Sequence, residues 1–216
     1  EPFTKVFPKS LIPVGDKPII EKIIDEFKKY KIDKYYIILN HKAEMVELYF
    51  DSIKKDYELV FVKEEAFLGT IGGLKLLEEK MDEFLIVSNC DVIVRANFEE
   101  IINLHKQELA SLTVLSFIRH QKIPYGVINS KEGGEIINID EKPEFTFMAN
   151  TGIYILSKES LKFIPENSPF DMTDLIASLI KNGKKVITYP VNDRDYIDIG
   201  QLDMYKEATD KLRLLI

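Results

Sequence analysis

Three short apolar runs, Tyr35–Leu39, Leu59–Val62 and Phe84–Ser88, alternate along the chain with segments of helical periodicity. Ile19–Tyr30 places Ile20, Ile23, Ile24 and Phe27 on one face, and Met45–Ile53 and Gly72–Met81 repeat the spacing. Runs this short and this apolar read as buried strands, and the amphipathic pieces between them read as crossover helices. Because a crossover packs back onto a sheet in one hand, few topologies remain. The expectation is an α/β fold: a Rossmann-like, doubly wound, mainly parallel but mixed sheet with helices on both faces.

The texture changes after a fourth run, Leu112–Phe117. Short strands are predicted at Tyr125–Ile128, Ile136–Asp140, Gly152–Leu156 and Lys185–Pro190, with a turn at Glu132-Gly133-Gly134. Helices are predicted near Lys158–Phe163, at Met172–Asn182 with Gly183 as its stop, and at Leu202–Leu214. No repeat or linker divides the chain. Residues 1–216 therefore read as one domain, with a first half over 1–117 and a smaller β-rich part within 118–216.

Net charge is −7 with both signs interleaved, which gives little support to a nucleic-acid partner. No apolar run reaches the roughly 18 residues of a membrane span, so no membrane partner is expected. The lone Cys90 excludes an internal disulfide and fits a reducing, cytoplasmic setting. His41, His105 and His120 lack the spacing of a zinc site.

Several residues could carry chemistry. Asp91, in Ser88-Asn89-Cys90-Asp91, closes the run Phe84–Val87, and ligands of parallel sheets gather at strand ends. A carboxylate there suits Mg²⁺, which prefers oxygen and bridges phosphates, but it equally suits a turn cap. Asp198, in Tyr196-Ile197-Asp198-Ile199-Gly200, is a second such carboxylate, and it could instead anchor the helix that follows. Gly69-Thr70-Ile71-Gly72-Gly73 opens a helix, where small residues let an anion or a base approach the backbone; a tight strand-to-helix turn would look the same. Asp140-Glu141-Lys142-Pro143 could bind sugar hydroxyls and a phosphate, or be solvated turn charges. Lys9 and Lys17 beside prolines could bind a phosphate or sit on surface loops, and His41 at a strand end could touch a ligand or be a polar residue at a helix start. Cys90 is expected to be a small buried residue rather than a nucleophile, since no basic neighbour lowers its pKa.

Taken in order, P-K-x-L-x-P-x-x-x-K-P from Pro8 to Pro18, L-G-T-x-G-G-L from Leu68, N-x-D-V from Asn89, P-Y-G-V from Pro124, E-K-P from Glu141, N-x-G-I-Y from Asn150 and D-I-G from Asp198 form a recognisable series. Pro2 and Thr4 extend it upstream. The chain resembles the sugar-phosphate nucleotidyltransferases over almost its whole length. The closest likeness is to a branch that often carries a CBS-domain pair ahead of the transferase, through Phe170–Ile176 and Asn40–Met45.

The resemblance implies transfer of a nucleotidyl group from a nucleoside triphosphate to a sugar 1-phosphate, with Mg²⁺ as cofactor, in nucleotide-sugar and polysaccharide synthesis. It implies that Lys9 contacts the triphosphate as the catalytic lysine, and that Asp91 and Asp198 hold Mg²⁺. Leu68, Gly69, Thr70, Gly72 and Asn89 would frame the nucleotide. Tyr125, Gly126, Glu141, Lys142, Asn150 and Thr151 would line the sugar-phosphate pocket. The halves 1–117 and 118–216 become nucleotide-binding and sugar-phosphate-binding parts. Relatives are often oligomers, so a homo-oligomer is expected, with a CBS-domain pair upstream in the full-length protein.

This sequence departs from the family pattern in places. Cys90 stands where glycine is usual, Ser10 replaces a proline and Tyr196 a tryptophan. The family's leading strand and glycine-rich loop precede the first residue of this pattern and are absent from the sequence. The expectation is weak turnover by this chain alone, and open sheet edges. Two rival readings stand beside the enzyme: a non-catalytic nucleotide-sugar-binding regulatory module, and a metal-dependent glycosyltransferase. The latter commonly uses Asp-x-Asp, which Asp91-Val92-Ile93 does not supply.

Overall fold

The computed structural model describes residues 7–40 and 42–199; His41 and the expected helix at 202–214 lie outside them. A 3₁₀ turn at Lys9–Leu11 leads into β1 (Pro13–Val14), β2 (Lys17–Pro18) and α1 (Ile19–Lys28). Then come β3 (Lys34–Leu39), α2 (Ala43–Asp51), β4 (Glu58–Lys63), a 3₁₀ segment at Gly72–Leu77, β5 (Phe84–Ser88) and β6 (Val92–Val94). The second half holds α3 (Phe98–Gln107), β7 (Leu112–Lys122), β8 (Gly126–Ser130), β9 (Ile136–Glu141), β10 (Glu144–Ser157), α4 (Met172–Lys181), β11 (Val186–Val191) and β12 (Tyr196–Asp198), with further 3₁₀ turns at Lys158–Phe163 and Asp193–Asp195.

The α/β class is as expected. The central sheet runs β11-β7-β10-β5 and is mixed: β11 is parallel to β7, while β10 is antiparallel to both β7 and β5. β3 and β4 form a separate parallel pair. Tyr35 of β3 and Ile86 of β5 pack into one core cluster, and Tyr36, Ile38, Leu85 and Val87 into another. The two strands thus share both core layers, although no described main-chain ladder joins them.

Local chemistry accounts for the helices. α1 buries Ile19, Ile20, Ile23, Ile24 and Phe27, with Glu21 in its first turn and Lys28 in its last, each of the sign that the helix dipole favours. α4 opens on a reciprocal capping box between Asp171 and Asp174. α3 was not expected. Its start is nonetheless encoded, because the Asn97 side chain accepts the Glu100 N–H and Glu99 and Glu100 fill the first turn.

Two expectations need correction. Gly72–Met81 is not an α-helix: only Gly72–Leu77 winds, as 3₁₀. Of all residues only proline favours the helix less than glycine, and the segment is held by tertiary contacts instead. Lys158–Phe163 is likewise 3₁₀. Several elements outgrow their predicted bounds: β7 runs to Lys122, and β10 spans 14 residues rather than the five of Gly152–Leu156. No described helix is long and apolar enough to cross a membrane.

Candidate active site

The chain turns sharply at the end of β5. The Asn89 N–H donates to the Gly152 carbonyl at 2.9 Å. Gly152 has φ +84°, and a Cβ there would stand 2.5 Å from Asn89 Nδ2, so only glycine lets β10 pass this closely. The register of β10 against β7 slips between Asn150 and Tyr154. A bulge of this kind re-aims side chains. Here Asn150 Nδ2 donates to the Tyr154 hydroxyl at 2.5 Å, and Asn150 Oδ1 accepts the Gly152 N–H at 3.0 Å. Thr151 turns inward: it is buried, and its hydroxyl donates to the Leu115 carbonyl at 2.8 Å.

Asp91 follows β5, and β12 brings Asp198 beside it. The β12–β6 ladder pairs Asp198 with Val92, and the Ile199 N–H donates to the Asp91 carbonyl at 3.0 Å. Asn89, Asp91, Asn150, Thr151, Gly152, Tyr154, Tyr196 and Asp198, with Val92, line a pocket of about 330 Å³. Tyr196 stacks on Phe117 with ring centroids 4.4 Å apart, and its hydroxyl donates to Asp198 Oδ2 at 3.4 Å. Tyr154 ends the N-x-G-I-Y motif, and Tyr196 lies two residues before Asp198; neither is among the site residues expected from the sequence.

Lys9 reaches this end of the sheet from its 3₁₀ turn, with Nζ 3.7 Å from Asp91 Oδ2. Burial raises the Asp91 pKa above its ordinary value; Lys9 opposes the rise and the Asp198 charge adds to it. Cys90 is exposed rather than buried, because the chain turns outward there. Protein around its sulfur, and then Asp91, nonetheless push the thiol up to about 11, so it is no ready nucleophile. Lys17 is engaged elsewhere, in a 2.7 Å ion pair with Asp25.

The donor set fits a hard cation. Two carboxylates and two carboxamides face one pocket, and Mg²⁺ is commonly held by one or two carboxylates together with substrate phosphates. Among the described residues no group of three or more His, Cys, Asp or Glu side chains forms a self-sufficient metal cage.

The remaining candidates fall outside the pocket lining. Leu68 is buried and Gly69, at φ +79°, packs on the Phe170 backbone, where a Cβ would lie 2.6 Å from the carbonyl oxygen. The loop is clasped to the start of α4: the Thr70 N–H donates to Asp171 Oδ1 at 2.9 Å, and Thr70 Oγ1 accepts the Met172 N–H at 3.2 Å. A Cβ at Gly72 would lie 2.9 Å from that of Leu68. The glycine-rich segment therefore has a packing role visible in the structure. Tyr125, Gly126, Glu141 and Lys142 lie on or beside the β8–β9 hairpin, where Gly126 pairs with Glu141 and Lys142 Nζ is 3.7 Å from Glu141 Oε1. None of these four lines the pocket.

Comparison with known proteins agrees with this architecture. The family described as "Nucleotidyl transferase" matches residues 1–213. A UTP–glucose-1-phosphate uridylyltransferase from Synechocystis is 28% identical over 96% of this chain and 58% of its own length. A mannose-1-phosphate guanyltransferase from Yarrowia lipolytica is 33% identical over 76% of this chain and 47% of its own. The chain thus spans about half the length of these relatives. In fold it is similar to HddC from Yersinia pseudotuberculosis, with TM-score 0.74 and 21% identity over 95% of this chain and 90% of that one. With Asp91 after β5 and Asp198 at the end of β12 brought to one pocket, and its sequence matched over residues 1–213, the chain belongs to the nucleotidyl transferase family.

Proposed function

We propose that this chain catalyses attack of a sugar 1-phosphate on the α-phosphorus of a nucleoside triphosphate. An oxygen of the sugar phosphate forms the new P–O bond as the bond to the bridging α–β oxygen breaks, and pyrophosphate departs with that electron pair. No proton need move, so the residues act by placing charge and holding geometry. The observation that carries this reading is Lys9 Nζ 3.7 Å from Asp91, a carboxylate that lines one polar pocket together with Asp198.

Lys9 supplies positive charge for the transferring phosphoryl group. Asp91 and Asp198 are the residues that would hold Mg²⁺, which when bound neutralises phosphate charge. Asn150 and Thr151 form the wall that receives the sugar phosphate, and Tyr196 steadies Asp198. Leu68, Gly69, Thr70 and Gly72 contribute to nucleotide binding from the loop that is clasped to the start of α4. Tyr125, Gly126, Glu141 and Lys142 complete the sugar side. The nucleotide proposed is guanylyl, which the guanyltransferase relative supports at 33% identity; the uridylyltransferase relative names the competing outcome.

The test is pyrophosphate release with Mg²⁺ across four nucleoside triphosphates and a panel of sugar 1-phosphates. Release confined to one pairing, and lost in Lys9→Ala, supports the enzyme and identifies both substrates. A silent chain that still binds a nucleotide-sugar, with Lys9→Ala merely weakening it, means a sensor instead.

A further inference from the structure

We propose, resting on the nucleotide-binding role given to the Leu68–Gly72 loop, that Asp171 is a positioning residue for the nucleotide. It acts through that loop, 101 residues away in sequence, and not on the substrate itself. Asp171 is exposed and does not line the pocket. Its Oδ1 accepts the Thr70 N–H at 2.9 Å, and Thr70 Oγ1 in turn accepts the Met172 N–H at 3.2 Å. Two main-chain bonds lie beside this exchange: the Phe170 N–H donates to the Leu68 carbonyl at 2.9 Å, and the Ile71 N–H to the Phe170 carbonyl at 3.1 Å.

A loop reading Leu68-Gly69-Thr70-Ile71-Gly72-Gly73 needs such a hold, because glycine leaves the backbone many conformations. A ligand that must select one of them loses affinity in doing so. The clasp selects before the ligand arrives, which raises the fraction of chains competent to bind. Packing fixes where the loop sits: a Cβ at Gly69 would stand 2.6 Å from the Phe170 carbonyl oxygen, and one at Gly72 3.0 Å from that of Ser168. Packing alone does not fix which way a peptide plane faces. The bond to Asp171 does so for the Gly69–Thr70 peptide, whose trans geometry then turns the Gly69 carbonyl to the side away from α4. Without that acceptor the peptide is free to turn over about a glycine that tolerates either orientation.

Asp171 has a second task, as N-cap of α4 in a reciprocal capping box with Asp174. Substitution separates the two. Asparagine caps a helix as well as aspartate does and keeps an oxygen for the Thr70 N–H. Serine also caps well, but its single, shorter oxygen serves the cap alone. Asp174→Ala removes the return half of the box, in which Asp174 Oδ2 accepts the Asp171 N–H at 3.2 Å, and leaves the bond to Thr70 in place.

Calorimetric titration of the whole chain with each nucleoside triphosphate and Mg²⁺, beside steady-state pyrophosphate release, tests this. Asp171→Ala and Asp171→Ser should each weaken binding of the preferred triphosphate about tenfold and raise its KM alike, with kcat and the sugar 1-phosphate KM within about twofold. Asp171→Asn, which loses only the charge on the acceptor, should stay within about threefold of the wild type. Asp174→Ala should lower the urea midpoint and leave triphosphate affinity unchanged. Should Asp171→Ala misfold, Asp171→Ser, with α4 still capped, decides. Wild-type affinity in Asp171→Ser overturns the proposal, and so does a loss in Asp174→Ala as large as that in Asp171→Ser. A wild-type chain that binds no triphosphate overturns the nucleotide reading and this inference with it. A wild type that binds, beside Asp171 variants that bind equally, overturns this inference alone.

Discussion

Lys9 Nζ lies 3.7 Å from Asp91 Oδ2, and the carboxylate is largely covered (20% exposed) whereas the lysine is half in solvent. Without a ligand, then, Lys9 is the cation that steadies Asp91 against its burial and the nearby Asp198 charge. Removing each partner should move Asp91 in opposite directions. Lys9→Ala raises the Asp91 pKa further and Asp198→Asn lowers it, readable by carbon-detected NMR titration of the carboxylate. In turnover, Lys9→Ala should cost on the order of 10²–10³ in kcat, the usual loss when one charge-stabilising group is removed.

Tyr196 holds Asp198 by one hydrogen bond while its ring rests on Phe117. Tyr196→Phe keeps the stack and deletes the bond. The expected result is a rise of about tenfold in the Mg²⁺ needed for half-maximal rate, with little change at saturating metal, as for other residues that orient a ligand. An unchanged Mg²⁺ requirement would remove Tyr196 from the site.

Gly152→Ala tests the close passage beside Asn89. The new methyl would meet Asn89 Nδ2 at 2.5 Å, at a φ of +84° that L-residues resist. Destabilisation of about 1–3 kcal/mol is expected in urea titration. Gly133→Ala, with positive φ but open space around it, should cost less.

His105 provides a pH test distant from the pocket. It is buried, with Nδ1 2.8 Å from Thr113 Oγ1 and Nε2 2.8 Å from Ser157 Oγ. The Ser157 hydroxyl already donates to the Ala110 carbonyl, so Nε2–H donates to Ser157 and Nδ1 accepts from Thr113. Burial lowers the His105 pKa below its ordinary value. The unfolded chain therefore takes up a proton near pH 6.5 that the folded chain refuses, and stability falls as pH drops through that range, by at most about 1.4 kcal/mol per pH unit. His105→Gln should flatten that part of the urea midpoint against pH.

Much of the fold was legible because burial writes itself into the sequence as apolar runs: β3, β4 and β5 lie within one residue of where Tyr35–Leu39, Leu59–Val62 and Phe84–Ser88 place them. α3 escaped because its stripe is thin, with Phe98, Ile101 and His105 as its buried residues. The clasp between Thr70 and Asp171 was invisible for another reason. It joins positions 101 residues apart, and no local pattern announces which turn will meet which helix start. At the site, the order of motifs pointed to Asp91 and Asp198, but the bulge that aims Asn150 depends on ladder register, which alternation alone does not reveal.

β10 is one unbroken strand from Glu144 to Ser157. Its outer residues from Glu144 to Ala149 are not buried, Ile153, Ile155 and Leu156 are core, and Asn150, Thr151, Gly152 and Tyr154 line the pocket. Force applied at the outer end meets a ladder in continuous register as far as Asn150, where the bulge begins. Whatever grips the outer end of this strand therefore also sets the tension on a wall of the pocket.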